Sequence, residues 1–129
     1  YDPAQLSYEQ LLSLFLRSVD VTDAGGQFCD RGDSYRTAIF AKGGQRAIAE
    51  KVKAEAQAAL GQAIVTPIKS AGAFYAADDY HQNYYQQSEI VITRRGPKSK
   101  ANAYKFYRKA CGRDARVGQL WGSEAAFTH

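Results

Sequence analysis

The chain has 129 residues with 45% hydrophobic and 23% charged content, which is the composition of an ordinary globular protein of single-domain size. No run of about 18 apolar residues exists and no basic segment leads into an apolar one, so a membrane span and an intact signal peptide are both disfavoured. Net charge is +4, but it is unevenly placed: residues 1–93 carry 8 Lys/Arg against 11 Asp/Glu, and residues 94–129 carry 9 against 2. One domain over 1–129 with a basic helical tail over 94–129 is expected.

Ser7 opens a segment in which Tyr8, Leu11, Leu12, Phe15, Leu16 and Val19 follow the i, i+3, i+4 rhythm, and Gln10 is placed to complete a capping box. This predicts an amphipathic helix. Residues 20–34 are rich in Asp and Gly and show no period, so they read as a long polar loop and a candidate site. Residues 35–40 alternate and end in β-formers, predicting a strand. From 45 to 60 an alanine-rich helix is expected, with Ile48, Val52, Ala56, Ala59 and Leu60 inward and Gly61 at its C-terminus.

Residues 64–68 predict a short strand at an edge or an irregular one, because Pro67 cannot donate to a ladder. Residues 78–87 are expected to be helical, 89–93 a strand, and the chain from Ala101 a helix that Gly112 interrupts before Trp121. In that tail Tyr104, Tyr107, Cys111 and Ala115 fall at helical spacing and predict one buried stripe, with the lysines and arginines between them facing water. The order predicts an α/β (α+β) two-layer sandwich, a ferredoxin-like core with a small mixed sheet and flanking helices.

Two cysteines, Cys29 and Cys111, are too few for a disulfide scaffold, and with only His81 and His129 beside them no zinc-ligand spacing arises. Spacing alone leaves them as buried thiols, one disulfide or redox-active thiols. Cations interleaved with Tyr104, Phe106, Tyr107 and Trp121 can bind nucleic acid, but no nucleic-acid motif accompanies them, so that partner is disfavoured. The chain holds no methionine, and Tyr1-Asp2-Pro3 is not a translational start, so processing or a longer parent is expected.

Three separated stretches carry a resemblance. They are YDPAQLSYEQLLSLF at the start, QFCDRGDSYRTAIF over 27–40, and FYAADDYHQ over 74–82. Together they resemble the type A peptide methionine sulfoxide reductases, whose segments read Gln-Gly-Asn-Asp-x-Gly-x-x-Tyr-Arg-Ser-Ala-Ile and Phe-Tyr-x-Ala-Glu-Asp-Tyr-His-Gln. The resemblance implies thiol-dependent reduction of methionine (S)-sulfoxide, free or in proteins, in oxidative damage repair. It implies no bound cofactor, thioredoxin or dithiothreitol as reductant, and a monomer.

On this sequence the family's pocket Asp carries over as Asp30 and its pocket Tyr as Tyr35. Cys29 stands where the family has Asn, and Cys111 matches a late family cysteine, so both are candidate resolving thiols. Lys109 and Arg113 flank Cys111 and favour its thiolate. The family's nucleophile motif Gly-Cys-Phe-Trp, and its acid Glu, do not occur in residues 1–129, which are expected to be the C-terminal portion of the enzyme and inactive alone. His81, in the preserved Tyr-His-Gln, is expected to be structural, with Phe74, Tyr75 and Tyr80 packing the core. The alternative reading is an inactive remnant or binding module with a basic, aromatic tail. Two cysteines without a signal peptide favour the cytoplasm.

Overall fold

A computed structural model describes residues 1–128. The chain divides into two compact units, Tyr1–Gly72 with Arg113–His129, and Ala73–Gly112. The basic tail is thereby shared between them. Among the described residues there are four α-helices and three separate two-stranded sheets, an α+β fold without a closed barrel. One small mixed sheet was expected; the strands instead pair two by two.

In the first unit, helix α1 spans Tyr8–Leu16 and starts as its spacing demands. The Gln10 N–H donates to the Ser7 hydroxyl at 3.1 Å, and the Ser7 N–H donates to the Gln10 side chain at 3.0 Å, so two otherwise orphaned donors are satisfied. Leu12 and Leu16 bury its inner face. Helix α2, Gln45–Leu60, packs beside α1, and Lys51 pairs with Glu9 between them at 2.9 Å. Its buried residues are Ala49, Val52 and Ala56. Ala59, expected inside, is exposed: it lies on the same side of the helix as Val52 but in the last turn before Gly61. Gly61 ends the helix at φ +71°, a conformation that costs a side-chain-bearing residue, and its N–H returns to the Gln57 carbonyl at 2.9 Å.

The loop after α1 forms a minimal antiparallel hairpin, β1 Gly26–Gln27 with β2 Asp30–Arg31. A 3-10 turn over Asp33–Tyr35 follows, so the strand expected from residue 35 begins only at Ile39. Strand β3, Ile39–Ala41, pairs in parallel with β4, Ile68–Ser70, and α2 supplies the crossover. The ladder of β4 starts after Pro67, not at residue 64, because Pro67 has no N–H to give; its carbonyl accepts from Ile39 at 2.9 Å. Behind the sheet the buried hydroxyls of Thr37 and Thr66 meet at 2.8 Å. Helix α4, Arg113–Trp121, completes the core through Val117 and Trp121. The Arg17 guanidinium covers the Trp121 ring at 4.7 Å.

In the second unit, β5 Ile90–Thr93 and β6 Gly96–Ser99 form an antiparallel hairpin turned by Arg94 and Arg95, with Thr93 opposite Gly96. Helix α3, Lys100–Ala110, is capped by the Ser99 hydroxyl, which accepts from Asn102 at 3.3 Å. Cys111 closes it and Gly112 leaves at φ +72°. The interruption expected at Gly112 is therefore present, and it prevents the expected stripe. Tyr104 and Ala115 are exposed, Tyr107 and Cys111 half-buried, and the buried positions of α3 are Lys100 and Ala103.

The helix expected over 78–87 is replaced by turns and a short 3-10 segment, Tyr84–Gln86. Asn83 at φ +51° breaks any helical run there. Phe74 and Tyr75, expected in the core, are 91% and 87% exposed, and Tyr80 is half exposed. His81 is exposed and meets the Tyr80 ring edge-on at 5.0 Å. No helix among the described residues is long and apolar enough to cross a membrane.

Candidate active site

The polar loop is held by its own side chains. Asp20 is buried; one carboxylate oxygen accepts the Thr22 N–H at 2.9 Å and the Thr22 hydroxyl at 2.6 Å, and the other accepts Arg116 Nε at 2.8 Å. Gln27 spans the base of the loop: its amide oxygen accepts the Asp20 N–H at 3.0 Å, and its nitrogen donates to the Asp20 carbonyl at 2.8 Å. Further out, Arg31 grips both oxygens of Asp23, one of them at 2.9 Å. Gly26, at φ +144°, passes so close to the opposing strand that an added Cβ would lie 2.2 Å from the Asp30 carbonyl oxygen. Only glycine permits that crossing.

These bonds set the hairpin tip. Phe28 takes φ +53° beneath the Arg113 guanidinium, 4.4 Å from its ring centre, and turns the chain so that Cys29 and Asp30 are exposed. Tyr35, 53% exposed, ends the 3-10 turn whose first N–H bond runs from Tyr35 back to Gly32 at 3.0 Å. Three of the four residues singled out in the sequence thus sit on one clamped loop. Cys111 belongs to the second unit. Neither cysteine is a free thiol; both are disulfide-bonded.

Beside Tyr35 a cleft of about 590 Å³ opens between the 33–36 segment and the outer face of β3 and β4. Phe40 and Pro67 line it with apolar surface, and its charges are mixed, Arg36 and Lys69 against Asp23 and Asp33. The lining residues Ala38, Phe40, Val65 and Pro67 alternate with the buried Ile39 and Thr66, which face the core. Such a cleft accepts a chain segment with apolar and polar parts.

The loop's electrostatics give it a pH dependence. Burial pushes the Asp20 carboxyl up, but hydrogen bonds from Thr22 and Arg116 outweigh it and hold the group below its ordinary range. Asp23 is likewise lowered, first by the Arg31 hydrogen bond and then by the Gly25 N–H. A carboxyl lowered in the folded state stabilises the fold above the unfolded value of about 3.9, and that stabilisation is lost as pH falls through the folded value. Asp20→Ala is expected to cost about 1–3 kcal/mol at neutral pH and to flatten the acid limb of stability below about pH 4. Urea titrations at a series of pH values read both effects; equal losses at pH 3 and pH 7 would contradict them.

Gln27, Asp20 and Arg116 escaped the sequence reading as site residues. Gln27 lies inside the segment that carries the family resemblance. Arg116 is 96 positions from Asp20, and no local pattern signals that pair.

Comparison with known proteins places the loop in context. The family model described as peptide methionine sulfoxide reductase matches residues 1–114. The chain is 46% identical over 123 residues to "Peptide methionine sulfoxide reductase MsrA 2" of Caulobacter vibrioides, covering 95% of this chain and 57% of that protein. It is 42% identical over 128 residues to the protein of the same name from Rhizobium meliloti, covering 97% and 58%. With "Peptide methionine sulfoxide reductase MsrA" of Bacillus licheniformis it shares 41% identity over 129 residues, covering 95% and 62%. The chain therefore spans about three-fifths of the length of these relatives. The match runs through the clamped loop, both strands of the parallel pair and the whole second unit, and on that extent the chain belongs to the peptide methionine sulfoxide reductase family.

Proposed function

We propose that these residues serve a thiol-dependent reductase of methionine (S)-sulfoxide, free or in proteins, as the C-terminal part of its domain. The ferredoxin-like core belongs to the same proposal, with the β3–α2–β4 crossover as its part in the first unit. The observation that carries the reading is the loop held by Asp20, Gln27 and Asp23–Arg31, which presents Asp30 and Tyr35 on a fixed frame beside a cleft. The relatives do not support a non-catalytic binding module.

In the reaction a cysteine thiolate attacks the sulfoxide sulfur while the oxygen takes up one proton; the sulfur–oxygen bond of the substrate then breaks, the oxygen passes to the cysteine sulfur as hydroxyl, and methionine is released as the thioether. The attacking cysteine is left as sulfenic acid. A second thiol displaces hydroxide from it, forming a disulfide and water, and an external dithiol returns that disulfide to two thiols. The Tyr35 phenol donates to the sulfoxide oxygen as it gains charge, and the Asp30 carboxylate accepts bonds that orient water or the substrate backbone. Cys29 or Cys111 is the resolving thiol. The nucleophile comes from the family's Gly-Cys-Phe-Trp segment, which residues 1–129 do not contain. No bound cofactor takes part, the external dithiol is thioredoxin or dithiothreitol, and the enzyme acts as a monomer. We assign the cytoplasm, where disulfides are transient and catalytic.

The test uses the parent protein carrying the nucleophile segment, with dithiothreitol as reductant and the two sulfoxide epimers as substrates. Turnover of the S-epimer is expected, and its absence would sink the reading. In that protein Tyr35→Phe is expected to lower kcat about 10²-fold with little change in KM, because its hydrogen bond strengthens only as charge develops. A change confined to KM would remove Tyr35 from that role.

A further inference from the structure

The second unit carries one strand whose outer edge is unpaired. In the β5–β6 hairpin, Ile90 stands opposite Ser99 and Ile92 opposite Pro97. Opposed residues of an antiparallel pair alternate between those that exchange backbone bonds and those that do not. Just before the hairpin's first pair, the Lys100 N–H donates to the Glu89 carbonyl at 2.8 Å, so the residues of this strand bonded to β6 are Glu89, Val91 and Thr93. Pro97, which has no N–H, stands opposite Ile92 because that pair exchanges no bonds. The N–H and C=O groups of Ile90 and Ile92 therefore point away from β6, out of the edge of the sheet. Among the described residues no backbone group pairs with them there.

The two edges of the hairpin differ. On β6 the outward backbone includes Pro97, and a proline on an edge closes it to further strands. Strand β5, Ile90–Thr93, has no proline, no charge and no bulge. Its isoleucine side chains fall on one face at the strand period of two and are 62% and 82% exposed, with exposed Pro97 beside Ile92 across the ladder. Val91 and Thr93 take the opposite face, the one α3 covers: Lys98, opposite Val91, lies 5.6 Å from the centre of the Phe106 ring. Beyond Ile92 the chain turns through Arg94 and Arg95, both exposed, and no carboxylate occurs from Ile90 to Gly112.

We propose that the outer edge of β5 binds an extended peptide segment as an added antiparallel strand, with apolar side chains at alternate positions and a carboxylate at the end beside Arg94. Ile90 and Ile92 each exchange both backbone bonds with one residue of the segment, and these main-chain bonds carry the affinity. The side chains of the two bonded peptide residues lie on the same face as the isoleucines and cover them, which selects β-branched or other apolar groups. Direction follows from the pairing: in an antiparallel addition the N-terminal end of the segment lies beyond Ile92, so the carboxylate belongs there, where it meets the arginines of the turn. This surface goes beyond the sulfoxide chemistry and does not rest on it.

The probe is the peptide acetyl-Glu-Thr-Val-Thr-Val-Thr-amide, added to the 129-residue chain while amide exchange is followed residue by residue. At saturation the Ile90 and Ile92 amides are expected to exchange at least about tenfold more slowly, and those of Val91 and Thr93, already in the ladder, to change less. Methylating the two valine nitrogens removes the donors aimed at the edge and should weaken binding at least about tenfold. Methylating instead the first two threonine nitrogens, which point away from it, should change affinity less than about threefold. A lysine in place of the peptide's glutamate should weaken binding about threefold, and Arg94→Glu should restore it. Ile90 and Ile92 amides indifferent to millimolar peptide, or equal affinity for the two methylated peptides, would overturn the proposal. So would protection that rises with chain concentration in the absence of peptide, which assigns the edge to a second copy, or protection by phosphatidylglycerol vesicles in its place, which assigns it to a membrane surface.

Discussion

Lys100→Met is expected to unfold the second unit while the first keeps its protection from hydrogen exchange. Lys100 is 0% exposed. Its ammonium reaches Glu89 at 2.5 Å, the Gln87 amide oxygen at 2.7 Å and the Tyr80 carbonyl at 2.9 Å, and lies 3.7 Å from the Tyr80 ring centre. An ammonium offers three donors, and all three are used, so burial of this charge is offset by full hydrogen bonding and a cation–π contact. Methionine fills similar volume but leaves the Tyr80 carbonyl and Gln87 oxygen without a donor. Glu89 is 61% exposed and stays solvated, so the cost is that of the two acceptors left unsatisfied and of the lost cation–π contact, about 3 kcal/mol. The unit from Ala73 to Gly112 is too small to bury a large core, and among its residues Ala103 is the only buried hydrophobic one. A loss of that size exceeds what it can absorb. Amide exchange over 73–112 should therefore accelerate by at least about 10²-fold, the equivalent of about 2.7 kcal/mol. Unchanged exchange there would show that the loop from Tyr80 to Glu89 is held by something other than Lys100.

The second large effect lies in the first unit. Leu16→Ala is expected to cost about 3–4 kcal/mol, read as a lower urea midpoint at unchanged slope. Leu16 is 0% exposed and packs in the cluster with Leu12, Val21, Val52, Val117 and Trp121. Two helices, α1 and α4, and the crossover α2 all contribute to that cluster, so no single neighbour can move in to fill the space. Leu14→Ala, on the same helix but 39% exposed, should cost less than about 1 kcal/mol. Similar losses for both would mean that α1 contributes by helix propensity rather than by packing.

The candidate site was legible to different depths. Asp30, Tyr35 and Cys29 could be singled out because they stand in a segment that carries a family pattern, and the loop around them was recognisable by its Asp and Gly content. What holds the loop was not. Gln27 acts by reaching back seven residues to Asp20, and Arg116 by crossing 96 positions to the same carboxylate. Their side-chain types are unremarkable until the chain has folded.

By itself the sequence determined the family, both long helices of the first unit and their caps, because a capping box, a 3.6-residue apolar stripe and a terminal glycine act within a few residues. It also determined that α3 stops at Gly112. Only the tertiary structure decided that residues 78–87 are turns, that Gly96 to Ser99 pairs back as a strand, and that Lys100 is buried while Phe74 and Tyr75 are exposed. Each of those outcomes depends on which distant group arrives as partner: an ammonium finds its place inside only when Tyr80, Gln87 and Glu89 bring it three oxygens, and no local pattern records that meeting.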